Sequence, residues 1–570
     1  MNNKKILKLK KLINFYNLDG YIIPKNDAYF SEFSLPDRLK TISNFSGSAG
    51  FAIILKKENF LFIDGRYTIQ AQIQAGKYFK IIEVPKFSPR DILKKFKKNL
   101  TLGFDPQLFT NSILKKKFGS ICNLFPITKN LIDIIYKNKG RNVAKPFYNL
   151  SDKISGESMN SKINRLIKKI KLKKIDNIFI SAPENVAWLL NIRGEDNPNS
   201  PIPNCKIILT NKKKIYFFSC PKKIYKIKKN KKYKNFIFST YKNFPKVIDQ
   251  LKGNSFCIDN STCSVSNENT IKSSFRIKLD IDPCYIMKAI KNKSEIKHMI
   301  NTHIKDGLAL TKFIFWIKNI NKKKITETIA QNKLENFRKL NKNYLFPSFN
   351  TIAGTGSNGA IVHYRATKKS DKIIKKNDIF LCDSGGQYKF GTTDVTRTVC
   401  FSKQKKSIKN IFTKVLKGHI AVAQTNLKKD NTGQKIDRRA RKFLKRDGLD
   451  YAHGTGHGVG FFLNVHEGPQ SISKYNSIKI REGMILSNEP GYYKKGSYGI
   501  RIENLVYVKK DKKNLYFENL TLAPIEKDLI NFKLLNKNEK DYLFKYHLNI
   551  YSKYSKFLNL KERRWLASLI

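Results

Sequence analysis

The strongest constraint on the fold is an alternation of helical and strand patterns that runs twice through the first 285 residues. The first round, residues 1–147, opens with a short amphipathic helix, a turn at Asp19-Gly20 and a strand, followed by a hairpin pattern in "GFAIILKKENFLFIDGRY". The second round, residues 148–285, shows helix, strand and helix in "MNSKINRLIKKIKLKK", "IDNIFIS" and "PENVAWLLN". Polar residues and a proline in "GRNVAKPFYNLSD" mark the boundary. The sequence therefore predicts two α/β domains that could be structural duplicates, although no sequence repeat links them.

A chain of 570 residues is too long for a single hydrophobic core, so further domains are expected after residue 285. A long helical pattern opens in "CYIMKAIKNKSEIKHMINTHIKDGLALTKFIFWI". It contains His298 and His303, whose five-residue spacing does not place them on one helix face, so we interpret them as surface or core residues. After residue 350 glycine becomes more frequent and the polar residues become specific, which predicts that the chemistry lies there.

The chain carries 111 lysines and arginines against 44 aspartates and glutamates, a formal net charge of +67. Such a field attracts nucleic acid and anionic membranes. The positive residues are nearly all lysine and are spread over every segment, whereas a nucleic-acid site usually concentrates them on one face with interleaved aromatic residues. We therefore interpret the charge as a solvated surface and predict no specific nucleic-acid partner.

The eight cysteines are scattered without a CxxC pair, which argues against a zinc ribbon and gives no sign of a disulfide framework. No apolar run approaches the roughly 20 residues that span a bilayer. The first residues are basic but lack the uninterrupted apolar segment of a signal peptide, and the folded domain is expected to begin at once. These features predict a cytoplasmic protein that does not bind a membrane.

Three of the eight histidines fall within one glycine-rich passage, "YAHGTGHGVGFFLNVHEGP", as His453, His457 and His466. Histidine changes charge near neutral pH and is the commonest metal ligand, so the cluster indicates chemistry. A cluster alone proves little, and its meaning depends on the acidic residues that join it.

Two aspartates occupy strand patterns, where aspartate is uncommon. Asp383 follows an apolar run in "DIFLCDSGGQYKFGTTDVTRTVCF", which is typical of strand, turn and strand. Asp394 is expected within the second strand, on the same face as Thr396 and Thr398. Two such aspartates can face each other across neighbouring strands, where burial is costly unless the charges are paired or bind a metal.

Two glutamates follow further along the chain. Glu489 lies at the end of an apolar strand in "MILSNEPGYY". The segment "YGIRIENLVYV" alternates cleanly and places Glu503 on the same strand face as Arg501. An alternative for this pair is a plain Arg–Glu contact on a solvated sheet face, and each of the four acids taken singly is more often structural than a metal ligand.

Together, four carboxylates and one imidazole form an oxygen-rich set that can hold two divalent cations about 3.5 Å apart with bridging carboxylates. These hard ligands favour manganese, with cobalt or iron as alternatives, over a thiolate-type zinc site. The chain has no HExxH, which excludes the helical zinc-protease motif.

Through these residues the chain resembles the metal-dependent Xaa-Pro aminopeptidases (aminopeptidase P) of the pita-bread fold, in their long, three-domain cytosolic form. The motifs that carry the resemblance are "FNTIAGTGSNGAIVHYRAT", "DSGGQYKFGTTDVTRT", "HGTGHGVGFFLNVHEGP" and "NEPGYYKKGSYGIRIEN". It extends to "FSGSAGFAII" and "DGRY" in the first domain, "NVAWLLNIRG" in the second and "NLYFENLTLAPIEKDLI" near the C-terminus, and thus spans nearly the whole chain.

The resemblance implies two creatinase-like α/β domains at residues 1–147 and 148–285. It implies a pita-bread catalytic domain with a curved antiparallel sheet at residues 286–508. Residues 509–570 correspond to a C-terminal extension that helps such enzymes to form homodimers.

By position, the resemblance assigns five ligands to the two metal ions: Asp383, Asp394, His457, Glu489 and Glu503. It implies that Asp394 and Glu503 bridge the two ions. It also implies four residues on the substrate side of the site: His363, His453, His466 and Arg501. The arginine is expected to orient carboxylates by bidentate hydrogen bonds.

The resemblance implies that a hydroxide held between the two ions attacks the bond before proline and releases the single N-terminal residue. Glu489 would pass the water's proton to the proline nitrogen, and His466 would bind the oxyanion. His363 and His453 would grip the substrate backbone, and His363 is counted with Glu489 and His466 as catalytic.

Other functions share parts of this pattern. A prolidase has the same metal set but cleaves only Xaa-Pro dipeptides, and the three-domain length and the "HEGP" context favour the aminopeptidase over it. A methionine aminopeptidase usually lacks two such preceding domains. A non-catalytic protein on the same fold loses metal ligands, whereas all five ligand positions match here.

Overall fold

The computed structural model describes residues 2–32, 35–96, 99–136, 145–320, 324–512 and 514–570. The chain forms two compact units: unit 1 comprises residues 1–152 and 157–285, and unit 2 comprises residues 153–156 and 286–570. The boundary predicted in "GRNVAKPFYNLSD" falls partly on residues 140–144, which lie outside the described residues. Within the described residues, none of the helices combines the length and the apolar character that crossing a bilayer requires.

Unit 1 opens with the predicted amphipathic helix, Asn2–Phe15. Ile6, Leu9 and Ile13 recur at helical spacing and are buried in one cluster with the first sheet. The lysines between them remain on the solvent side, so the helix covers one face of the sheet.

The turn after this helix differs from the prediction. It lies at Tyr16 and Asn17, because Asn17 adopts the left-handed region with a φ of 52° and the strand Gly20–Pro24 already includes Gly20. The predicted hairpin is confirmed, since Phe51–Leu55 pairs antiparallel with Asn59–Asp64.

The two halves of unit 1 each contain a six-stranded sheet. With the strands of each sheet numbered in chain order, both sheets have the spatial order 4-3-2-1-5-6. In both, strands 1–2 and 2–3 pair antiparallel and strands 3–4, 1–5 and 5–6 pair parallel. In spatial order, the first sheet consists of Lys80–Val84, Asn59–Asp64, Phe51–Leu55, Gly20–Pro24, Leu100–Phe104 and Cys122–Pro126, and the second of Phe236–Ser239, Ile215–Phe218, Lys206–Thr210, Asn177–Ile180, Ser255–Ile258 and Arg276–Leu279.

This shared topology confirms that the two rounds of the sequence pattern are structural duplicates. The helix, strand and helix predicted at the start of the second round are present as Met159–Leu172, Asn177–Ile180 and Pro183–Leu189. The other helices before residue 290 are Arg38–Ser43, Thr68–Ala75, Pro89–Leu93, Asn111–Lys117, Leu131–Ile135, Asp152–Ser155, Pro221–Lys228, Phe244–Gln250, Val265–Lys272 and Cys284–Ala289, and the short strands Tyr148–Asn149 and Ile192–Arg193 pair with each other.

Unit 2 opens with the predicted long helix, Lys293–Asn319, whose N-terminus is capped by the side chain of Asn292. His303 lies in the core at 2% exposure, and half-buried His298 stacks against Phe390, which agrees with their interpretation as packing residues. The later helices are Glu327–Lys339, Lys406–Ala423, Gly433–Lys445, Lys537–Tyr554 and Leu560–Ala567.

The strands of unit 2 pair antiparallel throughout the described residues. This agrees with the antiparallel catalytic sheet that the resemblance implies. In spatial order the sheets consist of Tyr344–Pro347, Gly386–Tyr388 and Gly391–Thr392; of Ile352–Thr355, Ile379–Ser384 and Val395–Cys400; of Glu467–Ile472, Gly456–Gly458, Ile485–Asn488, Asn504–Asp511 and Asn514–Asn519; and of Gly491–Lys494 and Tyr498–Arg501.

Candidate metal centre

The two aspartates come from neighbouring antiparallel strands, Ile379–Ser384 and Val395–Cys400. Asp383 lies in the first strand opposite Thr396, and the second strand begins at Val395, which pairs with Ser384. Asp394 therefore stands one residue before the strand, and the prediction that it lies within the strand is wrong. The connection is also more than a turn, because it contributes the strands Gly386–Tyr388 and Gly391–Thr392 to a separate small sheet.

The two glutamates come from a second pair of antiparallel strands. Asn488 at the end of one strand lies opposite Asn504 at the start of the other, so Glu489 and Glu503 are the next residues at the same end of the sheet. Strand pairing thereby places both residues at the same end of the sheet.

The uninterrupted strand predicted in "YGIRIENLVYV" is instead two strands separated at Ile502 and Glu503. The break is caused by hydrogen bonds between Glu503 and a strand that is distant in the sequence. The backbone N–H of Glu503 donates to the carbonyl of Thr396 at 3.1 Å, and the Thr396 hydroxyl donates to the Glu503 carboxylate at 2.8 Å. Glu503 thus leaves its own sheet to bind the strand that follows Asp394.

His457 lies in the short strand Gly456–Gly458 and faces these acids. Its Nδ1 is 2.9 Å from the carbonyl oxygen of Gly458, so the Nδ1–H donates to that oxygen. Nε2 is 3.4 Å from Oδ2 of Asp394 and 3.5 Å from Oε1 of Glu489. Nε2 is therefore the nitrogen that a metal ion can displace a proton from and bind.

Close backbone contacts bring the histidine strand into place. A Cβ on Gly456 would lie 1.9 Å from the carbonyl oxygen of Ser487, and one on Gly458 would lie 2.2 Å from that of Glu467. Both positions therefore require glycine, which accounts for the glycines on either side of His457.

The five predicted ligands converge in overlapping groups whose ligand atoms lie within 4.8 Å of one another. Asp394, His457 and Glu503 each belong to two such groups, and Asp394 and Glu503 connect the group of Asp383 to the two groups of His457. The groups are Asp383, Asp394 and Glu503; His457, Glu489 and Glu503; and Asp394, His457 and His466.

The electrostatics of the acidic cluster, defined as Asp383, Asp394, Glu489 and Glu503, call for bound cations. Burial, and then the neighbouring carboxylates, raise the pKa of Asp383 and of Glu503 above their ordinary values. Burial alone would lower the pKa of His457, but hydrogen bonding to Asp394 and the Glu489 charge outweigh it and raise that pKa to about 9. Such an accumulation of buried negative charge is costly without compensating cations.

One atom of this cluster tests the fit of a metal directly. Oδ1 of Asp383 is buried and has no hydrogen-bond partner among the described residues, whereas Oδ2 accepts a hydrogen bond from Arg501 at 2.6 Å. A buried carboxylate oxygen without a donor is a favourable ligand for a hard divalent ion. The donor set of four carboxylates and one imidazole therefore fits the predicted metals.

Arg501 is buried at 2% exposure and contacts the site through three different partners. Nη2 donates to Asp383, Nη1 donates to the Tyr493 hydroxyl at 2.5 Å, and Nε donates to the Thr396 hydroxyl at 3.1 Å. The prediction of a bidentate contact is wrong, because only one nitrogen binds the carboxylate. The alternative of a surface Arg501–Glu503 contact is also excluded, since both side chains are buried and the arginine binds Asp383.

The other three histidines that were predicted for the site occupy different positions. The His466 side chain is exposed, and its ring lies 4.3 Å from that of His457 between centroids, in an edge-to-face arrangement. His453 is half-buried, with Nε2 2.8 Å from the Tyr493 hydroxyl. His363 is half-buried in the turn after the short helix Gly356–Ala360. That helix packs against the strand of Arg501, because a Cβ on Gly499 would lie 1.8 Å from the carbonyl oxygen of Gly359.

Sequence reasoning missed several residues that orient the ligands. The Ser487 hydroxyl donates to Glu489 at 3.1 Å and accepts from the His457 N–H at 2.9 Å. Ser487 and Thr396 each lie two residues from a ligand on a strand, and this period-two spacing could have identified them. Arg441 lies in the preceding helix, Gly433–Lys445, and donates to the carbonyl oxygens of Tyr451 and His453 at 2.8 and 2.6 Å; backbone acceptors of this kind leave no signal in the sequence.

Four family models match the chain. The model for metallopeptidase family M24 matches residues 297–510, and the model for the C-terminal region of peptidase M24 matches residues 513–569. Two models for the creatinase/prolidase N-terminal domain match residues 5–134 and 139–295.

Relatives similar over the full length support the same family. A protein of Laccaria bicolor named probable Xaa-Pro aminopeptidase P is 35% identical over 99% of this chain and 92% of its own length. A protein of Coprinopsis cinerea with the same name is 35% identical over 99% of this chain and 97% of its own length.

Two solved structures show how far the similarity extends. A Caenorhabditis elegans X-prolyl aminopeptidase, described as a cytosolic enzyme with a di-nuclear active site, superposes with a TM-score of 0.93 at 29% identity, covering 100% of this chain and 99% of that one. A prolidase from Pyrococcus horikoshii superposes with a TM-score of 0.52 at 25% identity, covering 64% of this chain and 99% of that one.

Proposed function

Because this chain belongs to metallopeptidase family M24, we propose that it is a metal-dependent aminopeptidase that releases the N-terminal residue from peptides with proline in second position. The observation that carries this proposal is the convergence of four carboxylates and His457 in a chain that superposes over its whole length on an X-prolyl aminopeptidase. The prolidase from Pyrococcus horikoshii covers only 64% of this chain, whereas the X-prolyl aminopeptidase covers 100% of it, which favours the aminopeptidase over a prolidase.

We propose that Asp383, Asp394, His457, Glu489 and Glu503 hold two divalent ions, with Asp394 and Glu503 shared between them. Both residues belong to the group of Asp383 and also to a group of His457, which supports the sharing. The oxygen-rich donor set favours Mn²⁺, with Co²⁺ and Fe²⁺ as alternatives. When bound, such ions supply a water of lowered pKa and polarise the substrate carbonyl.

The side chains of the site then divide the remaining work. Glu489 is the only partly exposed member of the acidic cluster, with 18% side-chain exposure, so its carboxylate can reach substrate. It accepts the proton of the attacking water and returns it to the leaving proline nitrogen. His466, exposed beside His457, donates a hydrogen bond to the oxyanion that develops in the transition state.

His363 and His453 are proposed to bind the substrate backbone. The Tyr493 hydroxyl accepts from Arg501 and donates to Nε2 of His453, which leaves the Nδ1–H of His453 directed at the carbonyl oxygen of Gly454 at 2.7 Å. Arg501, which contacts Asp383, therefore also fixes the orientation of the His453 ring through the Tyr493 hydroxyl. Arg501 acts on this side of the site through Tyr493.

The requirement for proline has a physical basis. The Xaa-Pro bond is a tertiary amide without an N–H, and the ring fixes φ near −65°, so peptidases that bind the N–H of that residue accept it poorly. A dedicated site recognises the shape of the ring and the free N-terminus of the residue before it.

We further propose that the protein acts as a homodimer in the cytosol, with the domains bounded at residues 147, 285 and 508. The four family models divide the chain into the same four parts, with the second model extending from residue 139 to residue 295, and the similar Caenorhabditis elegans enzyme supports the cytosol. The C-terminal helices expose apolar side chains that a second subunit could cover: Phe544, Leu548, Phe557 and Leu560.

Three peptides test the proposed activity. The manganese-loaded protein receives an Xaa-Pro tripeptide, an Xaa-Pro dipeptide and a Met-Ala tripeptide, and kcat/KM is measured for each. We expect the Xaa-Pro tripeptide to exceed the Met-Ala tripeptide by about 100-fold or more, because the proline pocket contributes to the transition state. Preference for the dipeptide would identify a prolidase, and preference for Met-Ala would identify a methionine aminopeptidase.

A further inference from the structure

Arg397 lies three residues after Asp394 in the strand Val395–Cys400 and is almost completely buried. The five N–H groups of its guanidinium lie 2.6 to 3.0 Å from six acceptors, three of which share the two N–H groups of Nη2. These acceptors are the carbonyl oxygens of Thr396, Glu503, Ala523 and Pro524, the side-chain oxygen of Asn504 and the hydroxyl of Tyr546.

Within the described residues, none of these acceptors is a carboxylate. A buried cation is usually paired with an acid, because leaving it uncompensated is strongly destabilising. Here the charge of Arg397 is compensated by the neutral dipoles of its six acceptors. Arg397 is thus a positive charge held against the backbone of the acidic cluster.

The contacts of Arg397 connect two parts of unit 2. On one side, Nη1 donates to the carbonyl oxygen of Glu503 at 2.6 Å, the shortest of the six bonds. On the other side, Nη2 reaches the Tyr546 hydroxyl at 3.0 Å. Tyr546 belongs to the helix Lys537–Tyr554, which is called the C-terminal helix below.

Tyr546 also holds the segment at Ala523, which lies between Glu503 and the C-terminal helix in the sequence. Its hydroxyl accepts from the N–H of Ala523 at 3.2 Å, and the carbonyl oxygen of Ala523 accepts from Arg397 at 2.8 Å. Tyr546 is 5% exposed and Ala523 is fully buried, so water does not compete for these bonds. The C-terminal helix, the segment at Ala523 and the backbone of Glu503 therefore form one hydrogen-bonded network centred on Arg397.

We propose that Arg397 is a positioning residue for the metal centre, which couples the C-terminal helix to the metal ligand Glu503. This inference rests on the proposed metal centre. Partners that orient metal ligands typically change metal affinity by about 10- to 100-fold when they are replaced. Because coupling between two sites is reciprocal, metal binding must stabilise the C-terminal helix as much as the helix supports metal binding.

An arginine that only supports the fold gives a different result. Its replacement lowers the stability of the whole unit but leaves the metal dissociation constant of the folded fraction unchanged. It also leaves amide exchange in the C-terminal helix independent of metal. Metal affinity and metal-dependent exchange are therefore the two informative measurements.

The test compares two variants with two controls in the full-length protein. Arg397→Lys keeps the charge but cannot reach six acceptors, and Tyr546→Phe removes only the hydroxyl, which keeps the test available should the arginine variant fail to fold. Tyr542→Phe is the matched control, because Tyr542 lies one turn earlier on the same helix and its hydroxyl accepts from Asn519. Arg193→Lys controls for loss of a buried guanidinium, since Arg193 donates to backbone carbonyl oxygens in unit 1.

The dissociation constants for Mn²⁺ are measured by calorimetry, and amide exchange of residues 537–554 is measured with and without Mn²⁺. We expect Arg397→Lys to weaken Mn²⁺ binding by about 10- to 100-fold and Tyr546→Phe by about threefold, since it loses one of six contacts. Manganese should slow exchange of the C-terminal helix in the wild-type protein and in both controls. This effect should shrink in Tyr546→Phe and disappear in Arg397→Lys.

The inference is overturned if Tyr546→Phe behaves like Tyr542→Phe in both measurements, or if manganese leaves exchange of the C-terminal helix unchanged in the wild-type protein. These outcomes are distinct from failure of the proposed function. A wild-type protein that binds Mn²⁺ and cleaves Xaa-Pro tripeptides without the coupling contradicts only the role of Arg397. A wild-type protein that neither binds Mn²⁺ nor cleaves them contradicts both.

Discussion

Replacing Asp394 with alanine is expected to abolish cleavage of Xaa-Pro peptides while leaving the chain folded. Asp394 is a shared member of two ligand groups and lies 3.4 Å from Nε2 of His457, so its loss removes the ligand that we propose to be shared by both ions. Without the paired ions the site lacks its activated water and its carbonyl activation, and kcat/KM should fall by roughly 10⁴-fold or more. Initial rates on an Xaa-Pro tripeptide at saturating Mn²⁺ measure this loss.

The fold should tolerate the change, because Asp394 is among the charges that raise the pKa of Asp383 and of Glu503. Removing it relieves repulsion within the acidic cluster, so the metal-free variant should melt no lower than the metal-free wild type. Asp430→Asn serves as a control, since Asp430 forms a partly exposed ion pair with Arg439 at 3.0 Å away from the ligand groups. Retained turnover in Asp394→Ala would contradict the dinuclear mechanism.

Replacing His466 with alanine is expected to lower kcat by about 10²- to 10³-fold with little change in metal affinity. The His466 ring is exposed beside His457 and is assigned to the oxyanion, so its hydrogen bond forms only as charge develops on the substrate. Because its nitrogen also lies within 4.8 Å of ligand atoms of Asp394 and His457, the geometry by itself permits metal contact, and the variant separates the two roles.

The comparison with His457→Ala sharpens this test, because the two rings lie 4.3 Å apart between centroids. His457→Ala should lose metal affinity and turnover together, since its Nε2 faces two carboxylates. His466→Ala should separate the two quantities. Equal losses of metal affinity and kcat in His466→Ala would show that His466 acts as a ligand.

The sequence predicted the elements of the site better than their ends. The apolar run before Asp383 and the proline after Glu489 are local signals; Asp383 lies within its strand, and Glu489 directly follows the last residue of its strand. The strand break at Glu503 has no local signal, because "YGIRIENLVYV" alternates without interruption. The break arises from hydrogen bonds to Thr396, more than 100 residues away in the chain.

The surroundings of the ligands were less predictable for the same reason. Arg501 was expected to bind a carboxylate with two nitrogens, but the Tyr493 and Thr396 hydroxyls take the other donors. Arg397 gave no signal of its role at all, because four of its six acceptors are backbone carbonyls, which any residue provides. Side-chain identity reveals chemistry, whereas backbone partners depend on the packing of distant segments.

The duplication in unit 1 illustrates the opposite case. No sequence repeat links the two halves, yet the alternation of helices and strands was sufficient to suggest it, and both sheets have the order 4-3-2-1-5-6. Hydrophobic periodicity depends on which face is buried, so it persists when the individual residues differ.

The central claim is that four carboxylates from two pairs of strands and His457 from a further strand hold two divalent ions. A crystal grown in excess Mn²⁺ and measured at the manganese absorption edge tests it directly. We expect two anomalous peaks in contact with Asp383, Asp394, His457, Glu489 and Glu503, with Asp394 and Glu503 in contact with both peaks. A single peak, peaks bound by other residues, or no peak among these five groups would contradict it.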